Sequence, residues 1–123
     1  QIQQLGATTA PPNRPALQPV TDQAMADILK SVRGEGLEDG KKALARQIFA
    51  GRRRFLSRQV CEVVKAFAFE DTRLEVAELA YDVVLDPENY FLVNSAFSFP
   101  STKDGLASFI ESRRAERPRP PGR

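Results

Sequence analysis

A chain of 123 residues has room for one domain, and 41 % hydrophobic with 28 % charged residues is ordinary for a water-soluble globular chain. The net charge of +2 is too small to imply nucleic acid by itself, and the absence of His removes the commonest general base and metal ligand. With a single Cys there is neither an intrachain disulfide nor a cysteine-rich zinc site, and no apolar run reaches the roughly 18 residues of a membrane-spanning helix.

Residues 1–20 carry Pro11, Pro12, Pro15 and Pro19 and almost no charge, which reads as a Pro-rich flexible leader. The Pro12-x-x-Pro15 and Pro118-x-Pro120 spacings resemble proline ligands only weakly. A chain that begins at Gln1 and continues through a polar, Pro-bearing stretch has the look of a mature exported protein. The helical domain is expected over residues 21–112, and residues 113–123, which mix Arg with Pro, read as a disordered tail.

Six helices are expected. The first covers about 22–33, with Met25, Ile28, Leu29 and Val32 on one face, Thr21 or Asp22 as cap and Gly34 and Gly36 as stop. The second covers about 38–50, with Leu44, Ala45, Ile48 and Phe49 inward and Glu38 and Asp39 at its positive end. The third covers about 58–68, capped by Ser57, with Val60, Val63, Val64 and Phe67 on one face and Cys61 as a small hydrophobe beside them.

The fourth, about 73–84, starts from a Thr72/Glu75 capping box. Its two apolar stripes suggest a central helix. The fifth covers about 87–96, with Asp86 as cap, Pro87 at the first position and Tyr90, Val93 and Phe97 inward. The sixth covers about 102–114, opened by Ser101 and Asp104, and packs through Leu106, Phe109 and Ile110.

Residues 55–80 align without a gap on residues 85–110. Val63, Ala66, Phe67, Phe69, Thr72 and Ala77 meet Val93, Ala96, Phe97, Phe99, Thr102 and Ala107. A thirty-residue period is that of a stacked helical hairpin. The first two helices read as a degenerate earlier copy, with Lys42, Leu44, Ala45 and Ile48 mirroring Arg73, Val76, Ala77 and Ala80. The expected fold is therefore all-α: three helical hairpins in a compact bundle or short superhelical array. The Phe67/Phe69 and Phe97/Phe99 pairs are expected to staple the hairpins together, each buried Phe contributing roughly 1.5–3 kcal/mol.

Several elements together carry a family resemblance: Leu56-Ser57-x-Gln59-Val60, Phe67-x-Phe69-x-x-x-Arg73-Leu74-x-x-Ala77, Asp86-Pro87-x-Asn89-Tyr90 and Phe97-x-Phe99-x-x-x-Lys103. Over about residues 24–110 the chain resembles a small helical domain of unknown function, found mostly in exported bacterial proteins and in an animal proline- and serine-rich protein. The resemblance implies a helical fold and export (periplasmic, envelope-associated or secreted), with no catalytic residues to carry over. Arg52, Arg53 and Arg54 stand where family members are usually less basic.

Few residues offer chemistry. Glu75, Glu78 and Asp82 share a face of helix four, where a Ca²⁺ site or an acid/base pair competes with a solvated stripe facing Lys41, Lys42 or Arg46. Asp86 and Asn89 are explained by capping. Ser57, Ser95, Ser98 and Ser101 have no His to activate them, and Lys65 and Lys103 look like surface positions. Gly34-Glu35-Gly36 lacks the Lys-Ser/Thr of a phosphate loop.

No catalytic, cofactor or metal site is expected, and no cofactor. Arg52, Arg53, Arg54 and Arg58 form a cationic patch suited to an acidic protein partner or an anionic envelope surface. The expected function is a non-enzymatic protein-interaction or scaffold domain that docks a partner in a groove between adjacent hairpins, with this patch as electrostatic guide. The alternative is a nucleic-acid-binding helical domain using the same patch.

Overall fold

The computed structural model describes residues 18–116 and has the expected all-α architecture. Five α-helices are present among these residues: α1 (Asp22–Gly34), α2 (Glu38–Ala50), α3 (Ser57–Lys65), α4 (Glu70–Ala80) and α5 (Pro100–Glu116). A short 3-10 turn (Tyr81–Val83) follows α4, and a 3-10 helix (Pro87–Ala96) precedes α5. The expected leader at 1–17 and the end of the tail from 117 lie outside the described residues. Residues 113–116, expected in the tail, continue α5 instead. There Arg113 pairs with Asp82 at 3.3 Å and lies over the Phe109 ring.

The helices pair as three hairpins, and the middle one is sandwiched. From the first hairpin, α1 packs on α3 and α2 on α4. From the third, the 3-10 helix packs on α3 and α5 on α4. The arrangement is thus a three-layer stack, and α4 is central, as its two apolar stripes require. Val60, Val63, Val64, Val76, Ala77 and Ala80 of the middle hairpin are completely buried.

Each hairpin is entered through a short extended segment, and the three segments lie side by side. Pro19 bridges Arg54 in parallel, and Phe55 bridges Val84. The Val20 N–H donates to Arg54 O at 2.9 Å, Phe55 N–H to Val83 O at 3.0 Å and Leu85 N–H to Phe55 O at 2.8 Å. Val20 and Phe55 are buried, so the chain is tied down one residue before the expected start of the domain.

The fifth helix is 3-10 rather than α. Pro87–Ala96 contains Asn89, Asn94, Ser95 and Val93, all weak α-helix formers. Winding at three residues per turn eclipses positions i, i+3 and i+6. Tyr90, Val93 and Ala96 have that spacing, and all three are buried against the middle hairpin.

The Phe-x-Phe pairs correct an expectation. Phe67 and Phe97 are buried at 1 % and 5 % exposure, but Phe69 and Phe99 are 62 % and 57 % exposed. Phe69 is the residue before α4, and Phe99 the residue before α5. At those positions the backbone N–H is needed and the side chain is free to face water. The expected caps shift as well. Thr21 caps α1, its Oγ1 accepting from Ala24 N–H at 3.1 Å. Leu56 rather than Ser57 precedes α3, and α4 and α5 start at Glu70 and Pro100, ahead of the boxes expected at Thr72 and Ser101.

Candidate functional site

The sequence elements that carry the family resemblance are occupied by bonds between hairpins. Glu38 and Glu70 open α2 and α4. Each reaches forward to the next hairpin. The Glu38 carboxylate accepts from Ala68 N–H and Phe69 N–H at 3.0 Å each, and the Glu70 carboxylate from Ser98 N–H at 2.8 Å and Phe99 N–H at 3.0 Å. These are the orphan donors at the starts of α4 and α5, satisfied from a neighbouring layer rather than by a local cap.

Three residues after each Glu stands a cation. Lys41 Nζ donates to Ala66 O at 3.2 Å. Arg73 donates from Nη1 to Ala96 O at 2.6 Å, from Nε to Phe67 O at 2.7 Å and from Nη2 to Lys65 O at 3.3 Å. Each Glu/cation pair thus reaches the turn of the following hairpin, anion on N–H groups and cation on a carbonyl, while Arg73 also ties the turn of its own hairpin through Phe67 O and Lys65 O. The structural counterpart of Arg73 is therefore Lys41, not Lys42 as the sequence register suggests. Lys42 pairs with Glu75 instead, at 3.0 Å.

Burial would raise the Glu70 carboxyl. The N–H groups of Phe99 and Ser98, the Thr102 hydroxyl and the Arg73 charge outweigh it and hold the group below its ordinary value.

At the opposite end of the bundle the Asp86-Pro87-x-Asn89-Tyr90 element performs a similar task. Asp86 Oδ1 accepts from Ser57 N–H at 2.7 Å, so it caps α3 instead of its own helix. Ser57 Oγ donates to Asp86 O at 2.9 Å, and Asn89 Nδ2 holds the other carboxylate oxygen at 3.1 Å. The buried Tyr90 hydroxyl donates to Ala77 O, and burial beside Tyr81 pushes that phenol far above its usual range. Gln59 links the first layer, accepting from Leu56 N–H at 2.9 Å and donating to Val20 O at 2.7 Å. Cys61 is buried, with Sγ 3.2 Å from Ser95 Oγ.

The carboxylate stripe is a set of ion pairs. Glu75 faces Lys42 and Asp82 faces Arg113, while burial, and secondarily Glu75, raises the Glu78 carboxyl. Among the described residues no cluster of three or more Cys, Asp and Glu side chains is placed to hold a metal ion.

The Arg cluster occupies the turn between α2 and α3. Arg52, Arg53 and Arg58 are exposed. Arg54 is half-buried and braces the turn, its Nη1 donating to the carbonyls of Arg52 and Arg53 at 3.3 Å each. Arg53 also lines an open groove of about 250 Å³ between α1 and α2. Its apolar lining comes from half-buried Leu44 and from Ile28 and Ile48, which are themselves buried at 8 % and 7 % exposure, and Asp27 and Ser31 stand on the α1 side. Among the described residues none of α3 or beyond lines it, so it lies on the side of the first hairpin away from the middle one. The expected docking groove runs between adjacent hairpins, whereas this one lies between the two helices of the first, and its apolar lining residues read simply as core positions.

A second surface feature lies at the other end of the helices. Leu37, Phe69 and Phe99, each immediately before the second helix of its hairpin, are 74 %, 62 % and 57 % exposed. The structure does not bring this row near the Arg cluster. α1 and α3 run from the cluster's end to the row, and α2 and α4 run back.

No helix among the described residues is long and apolar enough to cross a membrane. Residues 19–110 match a domain of unknown function, DUF4476. No curated protein and no solved structure matches the chain.

Proposed function

The chain belongs to the DUF4476 family, and from that premise we propose that it is a non-enzymatic protein-interaction module that docks a partner in the outer groove of its first hairpin. The observation that carries this reading is the juxtaposition of an apolar floor (Ile28, Leu44, Ile48) with Arg53, beside the exposed Arg52 and Arg58. Ile28 and Ile48 are themselves buried, at 8 % and 7 % exposure, and Leu44 is half-buried, so the lining offers a partner a shaped apolar surface rather than a large contact area. The arginines steer an acidic partner and fix its orientation. The polar residues of the family motifs support the same reading from the other side, since Glu70, Arg73, Ser57, Asp86, Asn89 and Tyr90 are all engaged in holding layers together.

The family resemblance supports an exported, envelope-facing setting. Fractionation of cells expressing the full-length protein tests it, and recovery only in the cytoplasm would remove it. The docking role is tested by replacing Arg52, Arg53 and Arg58 with Glu and repeating a pull-down from envelope extract. Arg54 is left in place because it braces the turn. The expected result is loss of specific partners. An unchanged partner set would sink the electrostatic guide. The nucleic-acid alternative rests on the charge of the cluster alone, and a mobility shift that vanishes steeply with added salt would be required to revive it.

A further inference from the structure

Hairpin stacking in this chain uses one rule twice. The second helix of a hairpin opens with Glu, carries a cation three residues later, and closes both groups onto the turn of the next hairpin. Glu38 and Lys41 do this to the middle hairpin, and Glu70 and Arg73 to the third. The receiving groups include the two backbone N–H groups just before the second helix: Ala68 and Phe69 in the middle hairpin, Ser98 and Phe99 in the third.

The first hairpin has the same receiving groups, and nothing closes on them. Gly36 N–H and Leu37 N–H donate to no group among the described residues. The outer groove lies on this same hairpin. By helix position, the counterparts of Ile28, Leu44 and Ile48 in the middle hairpin are Val63, Val76 and Ala80, and all three are completely buried within the stack.

We propose that the outer face of the first hairpin is a docking face for one more hairpin of the same kind, whose second helix opens with Glu and carries Lys or Arg three residues on. This rests on the docking role proposed above and adds the chemistry of the partner. It continues an interface that the molecule already forms twice.

The far end of the stack lacks one part that a second copy would need to fill that face. α5 opens with Pro100 where α2 and α4 have Glu, so the carboxylate of the clamp is missing. The rest of the donor face is present. Lys103 keeps the cation, and Phe91, at the position of the buried Cys61, is 64 % exposed. Pro100 thus blocks a head-to-tail contact that would otherwise propagate.

Replacing Pro100 by Glu in the full chain tests this directly. Glu at the first position of a helix suits the positive end of the helix, so the fold is retained. Sedimentation velocity over a concentration series is expected to show self-association at least about tenfold tighter than wild type. Adding Ser31→Arg, a change at an exposed position on the groove, is expected to return the variant to wild-type behaviour. A Pro100→Glu chain with unchanged melting temperature that sediments as wild type would overturn the proposal, as would association that Ser31→Arg does not affect. Ser31→Arg alone, in the pull-down, separates the two readings. If it strips partners while Pro100→Glu stays unassociated, the groove docks something other than a repeat, and if it strips none, the docking role itself fails.

Discussion

Arg73→Met removes the strongest of the clamps while keeping a side chain of similar reach. The half-buried guanidinium holds three carbonyls. Two of its bonds are short, at 2.6 and 2.7 Å, and the third, at 3.3 Å, counts for little. A hydrogen bond involving a charged group contributes about 1.5–3 kcal/mol, and two bonds from one group are less than additive. The expected loss is therefore about 2–4 kcal/mol. For a domain near 100 residues that lowers the melting temperature by roughly 10–20 °C. Urea unfolding followed by circular dichroism gives the comparison. Lys41→Met, which loses one 3.2 Å bond, should cost about 1 kcal/mol. Lys103→Met has no clamp to lose and should change stability by less than about 0.5 kcal/mol. Equal costs at positions 73 and 103 would refute the reasoning, because the two residues differ in what they clamp and not in where they sit on their helices.

Three further outcomes are expected. Phe67→Ala should cost about 3–5 kcal/mol by opening the core, whereas Phe69→Ala and Phe99→Ala, which change exposed side chains, should each cost less than about 1 kcal/mol in the same urea assay. Tyr90→Phe removes the donor to Ala77 O and should lower stability by about 1–2 kcal/mol. The third outcome concerns acid. The folded-state pKa of Glu70 is depressed, so its contribution is present above the ordinary carboxylate value of 4.5 and is lost as pH falls through that value towards the lower folded one. Glu78 is raised and acts in the opposite sense, its contribution being present at low pH and lost as pH rises through its folded value. Comparing acid unfolding of wild type with Glu70→Gln isolates the first effect. The two should converge as pH falls, and parallel curves would show that the clamp does not titrate.

Helix positions were legible because the apolar spacing of Met25, Ile28, Leu29 and Val32 recurs at Val60, Val63, Val64 and Phe67, and burial follows that spacing. The thirty-residue copy likewise became a stack of layers. One long-range polar contact, Glu75 with Lys42, is among the expected pairings, but the clamps were not legible. Glu38 looks like a local complement to a helix dipole and Glu70 stands ahead of the helix expected from about 73, and only the fold shows both reaching N–H groups about thirty residues away. Phe69 and Phe99 read as core because they are apolar and recur with the repeat. What recurs is their backbone position before a helix, which leaves the ring outside. The choice of Lys42 over Lys41 was a one-residue slip that adjacent lysines cannot resolve. The 3-10 winding of Pro87–Ala96 follows from which residues are buried together, and both windings share Tyr90 and Val93. At the candidate site, the arginines stood out by density. The groove did not, since Ile28, Leu44 and Ile48 read as core, and Ile28 and Ile48 are indeed buried; only the fold shows that none of the other described helices covers that side.

Native-state amide hydrogen exchange on the wild-type chain tests most directly the claim that one clamp is used twice and left open once. The N–H groups of Ala68, Phe69, Ser98 and Phe99 are bonded to carboxylates from the preceding layer, whereas those of Gly36 and Leu37 have no such partner among the described residues. Slow exchange at the four clamped positions and fast exchange at Gly36 and Leu37 is the predicted result. Uniform exchange across all six would contradict it.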